Sequence, residues 1–109
     1  MTGSGMKDDV RRKAARHVRD AYKRVRDIYT ESIRTAETRE FADTLKIARD
    51  ELDDIAGILE DVDSEEHSDM VQGLRDVGAS LSGLKLETLS QVLIDIRDAI
   101  SALQKDAPS

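Results

Sequence analysis

An uninterrupted series of apolar residues, alternating four and three positions apart, constrains this chain more than any other feature of its sequence. The members of the series are Phe41, Leu45, Ala48, Leu52, Ile55, Leu59 and Val62. This spacing places all of these side chains on one face of an α-helix, in the pattern of a heptad seam. A helix with such a face must bury it against other helices, so the series predicts a helical bundle.

Three further segments repeat the same rhythm. The N-terminal segment contains Ala14, Val18, Ala21, Val25 and Ile28. The next contains Met70, Leu74, Val77 and Leu81. The last contains Leu86, Leu89, Leu93, Ile96, Ile100 and Leu103. The sequence therefore predicts an all-α antiparallel bundle of four helices with heptad-type packing, in which the first helix is long, at about 30 residues.

The boundary between the first two helices has two interpretations, because residues 30–40 contain neither Gly nor Pro. One is a turn near Thr35–Thr38, with Thr38 as the N-cap of the second helix. The other is one continuous helix of about 55 residues, on the order of 80 Å long. The turn is favoured, because continuing the first seam would place Ser32 and Arg39 in the core.

The later boundaries carry clearer signals. Asp63 is predicted to be the N-cap of the third helix, with Glu66 completing the cap three positions later. Gly83 is predicted to be the C′ residue that ends this helix, and Leu84 to make the hydrophobic contact that often follows such an end. The fourth helix is then expected to cover residues 85–104.

Length and composition restrict the domain organisation and the chemistry. The 109 residues are expected to form one domain over residues 6–105, between a disordered cloning remnant at 1–5 and a disordered tail at 106–109. The absence of cysteine excludes disulfides and thiolate metal sites. No apolar run approaches the roughly 20 residues that cross a bilayer, so we expect a cytoplasmic protein without membrane contact. No metal or other cofactor is expected.

Charge is distributed unevenly along the chain. Residues 1–39 carry 11 Lys or Arg against 6 Asp or Glu, whereas residues 40–109 carry 6 against 17. We call five cations on the first helix the basic stripe. The basic stripe consists of Arg12, Arg16, Arg19, Lys23 and Arg26. Each lies two residues before a member of the N-terminal apolar series, so the stripe is expected across the helix from the core.

The third helix resembles the phosphoryl-bearing helix of histidine phosphotransfer domains, which are also four-helix bundles. In that family a His is followed by Lys and Gly three and four positions later. Here Asp69 stands in place of the His, Gln72 replaces the Lys, and Gly73 matches the Gly. The resemblance implies a helix that docks a response-regulator receiver domain without transferring phosphate.

No motif in the chain specifies a reaction. We therefore expect a non-enzymatic protein–protein interaction module (an adaptor, regulator or assembly subunit) whose basic stripe binds an acidic partner protein. A solvated stripe without a partner is the simpler interpretation. Receiver-domain docking and nucleic-acid binding are the alternative functions, and the net charge of −6 disfavours the latter. A homodimer is also expected, because a second copy could cover the overhang of the long first helix.

Overall fold

The computed structural model describes residues 8–35, 39–60 and 67–105, with the exception of the side chains of residues 8, 67–69 and 105. The four helices are α1 (Asp8–Ser32), α2 (Ala42–Glu60), α3 (His67–Ser82) and α4 (Ser90–Lys105). Short 3₁₀ turns at Arg39–Phe41 and Glu87–Leu89 precede α2 and α4. The predicted all-α bundle is confirmed, and the described ranges contain no strand.

The helices form an elongated bundle of 54 × 22 × 17 Å. α1 packs against α2 and α4, and α3 packs against the same two helices from the other side. Consecutive helices are therefore neighbours, as in an up-and-down four-helix bundle. This arrangement leaves one side of α1 facing away from the other three helices.

The core is aliphatic, and its most completely buried leucines come from α2, α3 and the 3₁₀ turn before α4. These leucines are Leu45, Leu52, Leu59, Leu74, Leu81 and Leu89. The buried apolar residues of α1 are only alanines and valines. These are Ala14, Ala15, Val18, Ala21 and Val25. The apolar face of α1 is therefore shallow, which lets its neighbours approach the helix axis closely.

The α4 seam differs in part from the predicted one. Val92 and Ala99 are fully buried, whereas Leu93 and Ile100 are only partly buried at the margin of the core. The smaller pair faces the centre of the bundle, and the larger pair packs around it. Apolar residues occupy both sets of positions, so periodicity alone did not decide between them.

The chain turns between α1 and α2, so the continuous 55-residue helix is excluded. Ser32 is buried, and its hydroxyl donates a hydrogen bond to the carbonyl of Tyr29 at 2.7 Å. This local hydrogen bond satisfies the buried hydroxyl of Ser32, so a polar residue can occupy the last position of the α1 apolar series. The predicted N-cap Thr38 lies outside the described residues.

α1 is shorter than predicted, at 25 residues. Arg11, in its first turns, already contacts Leu59 near the end of α2. α1 and α2 therefore run alongside each other with little overhang between them. α1 is still longer than α3, which has 16 residues, so the difference in length that suggested a homodimer remains, and the homodimer stays a prediction.

The end of α3 has the predicted position but a different conformation. The N–H of Gly83 donates to the carbonyl of Ala79 at 3.1 Å, which continues the helical hydrogen-bond pattern by one residue. The left-handed residue is Lys85, with φ of 55°, and not Gly83. Leu84 packs against the core as predicted. Asp63 and Glu66, the predicted start of this helix, lie outside the described residues.

Two mid-helix glycines should respond differently to alanine. A Cβ on Gly57 meets no atom within 4 Å, whereas one on Gly73 lies 3.2 Å from Cδ1 of Ile55. Gly57→Ala should therefore raise the free energy of unfolding by about 1 kcal/mol, the usual helix-propensity gain. Gly73→Ala should gain less, because Ile55 must shift. Thermal unfolding measures both variants, and a larger gain at Gly73 would contradict this account of α2–α3 packing.

Candidate partner-binding surface

The basic stripe follows α1 on the side away from the core, but its members have different surroundings. Arg12, Arg16, Lys23 and Arg26 are exposed, as the spacing predicted. Arg19 is half-buried, with 27% of its side chain exposed. Sequence spacing placed all five in the same environment, and the structure separates Arg19 from the rest.

Arg19 joins α1 to α2 through two carboxylates. Its Nη1 donates to Oδ1 of Asp53 at 2.9 Å, and its Nη2 donates to Oε1 of Glu60 at 2.7 Å. The hydrogen bonds, first to Glu60 and then to Asp53, raise the pKa of the Arg19 guanidinium. Arg19 therefore remains charged and acts as an internal link between helices.

Tyr22 supports two members of the stripe. The guanidinium carbons of Arg19 and Arg26 lie 5.2 and 5.9 Å from the centre of its ring, within the range of cation–π interactions. Arg26 also approaches Asp27 at 3.5 Å, but both side chains are exposed and such a pair contributes little. The ring face that carries these arginines is not open to another planar group.

Two arginines outside the stripe have structural roles that the sequence analysis missed. Arg11 is 6% exposed and donates from Nη1 to the carbonyl of Leu59 at 2.7 Å, where α2 leaves carbonyls without helical partners. Arg24 donates to Oδ2 of the buried Asp95 on α4 at 3.1 Å. The position of Arg11, seven residues before Val18, is a seam position, and this was the signal for its burial.

Three cations of the stripe remain: Arg12, Arg16 and Lys23. None forms an ion pair with a carboxylate in the described part of the chain. They line a shallow depression of about 530 Å³ on α1, beside the end of α2. Its wall also includes Ala15, Asp20 and Glu60, and Glu60 is already bound to Arg19. The depression therefore presents more positive than negative side chains to solvent.

The residues behind the phosphotransfer resemblance lie on α3. Gln72 is exposed and donates to Oδ1 of Asp76 at 2.9 Å. Gly73 faces Ile55 of α2, so close helix packing accounts for this glycine. The side chain of Asp69 lies outside the described residues. Receiver-domain docking stays a prediction, and no observation favours it over the surface on α1.

Among the side chains that the structure describes, no three His, Asp or Glu residues come close enough together to hold a metal ion. The described helices also include none that is both long and apolar enough to cross a bilayer.

Comparison with known proteins adds no family. No protein-family model matches the chain. The searches of curated proteins and of solved structures also give no significant match.

Neighbouring arginines on α1 provide a test of this division of roles. Arg11→Met should lower the free energy of unfolding by about 1–3 kcal/mol, because the Leu59 carbonyl loses a charged donor in a buried setting. Arg12→Met, next to it but exposed, should change stability by less than about 0.5 kcal/mol. Urea unfolding followed by circular dichroism measures both. Equal losses would show that Arg11 does not hold the end of α2.

Proposed function

We propose that this chain is a non-enzymatic protein–protein interaction module, serving as an adaptor, regulator or assembly subunit. It binds an acidic surface of a partner protein through the outer side of α1. The observation that supports this proposal is the exposure of Arg12, Arg16 and Lys23 without an ion-pair partner in the described ranges. Other arginines of α1, by contrast, bind groups on α2 and α4.

The uneven distribution of charge over the molecule favours a basic stripe that binds a partner over a basic stripe that is only solvated. The chain has a net charge of −6, and its acidic residues concentrate after residue 39. Two carboxylates of α2 nevertheless bind Arg19 and leave its neighbours Arg16 and Lys23 exposed. A cationic surface on an acidic protein attracts acidic partners locally while the rest of the molecule repels them, and this restricts the orientation of binding.

The strength of these contacts predicts a transient interaction. An exposed ion pair contributes about 0.2–1 kcal/mol, so three pairs supply at most about 3 kcal/mol. That corresponds to about a 150-fold change in affinity, and ionic strength reduces it. Charge therefore sets the rate and orientation of association, and apolar contacts of the partner must add to the affinity.

A protein partner fits the aromatic residues better than a nucleic acid does. Both tyrosines lie against arginines, Tyr22 beneath Arg19 and Tyr29 5.0 Å from the guanidinium of Arg49. Proteins that bind single strands usually offer aromatic rings on which bases stack. Because these rings already contact arginines and the net charge is negative, protein carboxylates are the better match for the stripe.

Charge reversal on the stripe tests the proposal, with poly-L-glutamate as a generic acidic probe. Arg16→Glu combined with Lys23→Glu should weaken binding at least tenfold at low salt, because both cations face the probe. The matched control combines Arg75→Glu on α3 with Arg97→Glu on α4, two exposed cations away from α1, and has the same net charge. Fluorescence anisotropy measures binding, and circular dichroism confirms folding. Equal weakening in both variants, or binding that high salt does not reduce, would contradict the proposal.

A further inference from the structure

We infer that the partner's binding segment is an acidic α-helix that lies along the outer side of α1, with carboxylates seven residues apart. This inference rests on the proposed function and adds the shape of the partner to it. It follows from how the charges on α1 are arranged, and from how α2 already binds one of them.

The outer side of α1 carries two pairs of like charges, each pair with a spacing of seven residues. Arg16 and Lys23 form one basic column, and Asp20 and Asp27 form an acidic column beside it. Seven residues correspond to two turns, about 10.5 Å along the helix, with a drift of only about 20° around it. Charges so placed match the repeat of another helix packed nearly parallel to α1.

α2 shows, within the chain, how carboxylates on a neighbouring helix bind a cation of the basic stripe. Asp53 and Glu60 lie seven residues apart on α2, and both bind Arg19, at 2.9 and 2.7 Å. An acidic helix with heptad-spaced carboxylates therefore already lies along one edge of the basic stripe. The column of Arg16 and Lys23 lies farther around α1 from α2, and both of its members are exposed.

The neighbouring acidic column gives the partner helix a preferred placement. A helix whose carboxylates meet Arg16 and Lys23 would bring its flanking positions near Asp20 and Asp27. Basic residues at those positions would be favoured, and acidic ones would be repelled. A helix that is acidic on one face and basic beside it therefore fits better than a uniformly acidic segment.

Two designed peptides of identical composition test this inference. Both are alanine-rich helices with two Glu and two Lys. In the matched peptide the two Glu residues are seven positions apart on one face with the Lys residues beside them, and in the scattered peptide the four charges are distributed around the helix. Circular dichroism verifies equal helix content. Binding to the full chain at low salt is followed by fluorescence anisotropy, and the matched peptide should bind at least tenfold more tightly.

Variants of the chain locate the binding site. Arg16→Glu should remove the preference for the matched peptide, whereas Arg75→Glu, at an exposed position on α3, should keep it. Equal binding of the two peptides would overturn the helical partner and leave the acidic partner standing. A preference that survives Arg16→Glu would overturn the assigned column. No binding of either peptide, together with no binding of poly-L-glutamate, would overturn the proposed function as well.

Discussion

The small side chains on the core face of α1 determine how the rest of the bundle is arranged. Ala14 and Ala21 leave room for α2 and α4 to approach the axis of α1, while leucines from the other helices fill the core. The close approach brings polar groups of α2 and α4 within reach of long arginine side chains. Arg19 reaches two carboxylates on α2, and Arg24 reaches the buried Asp95 on α4.

This geometry gives similar residues on one helix different roles. Cations near the seam, such as Arg11, lie against neighbouring helices and stabilise the fold. Cations farther around the helix, such as Arg16 and Lys23, form no ion pair with the α2 carboxylates that bind Arg19. The direction in which a side chain leaves α1 thus separates structural arginines from those that can meet a partner.

Most of the architecture followed from periodicity, because each helix must bury one continuous apolar face. The turn after Ser32 was also predictable, since the α1 seam meets polar residues there. The ion pairs of Arg19 were not predictable, because they depend on which helix lies beside α1 and on the register between the two helices. Gly83 marked the end of α3 correctly, but the left-handed residue is Lys85, and nothing in the sequence singles out that position. For function the sequence carried no signal comparable to the periodicity, because four-helix bundles serve many functions.

The central claim is that the arginines of α1 divide into an inner group held by the bundle and an outer group open to an acidic partner. Modification by phenylglyoxal, followed residue by residue with mass spectrometry, tests this division directly. Arg12 and Arg16 should react faster than Arg11 and Arg19, and poly-L-glutamate should protect only the first pair. If Arg19 reacts as fast as Arg16, or if poly-L-glutamate protects none of them, the division of α1 into two faces is wrong.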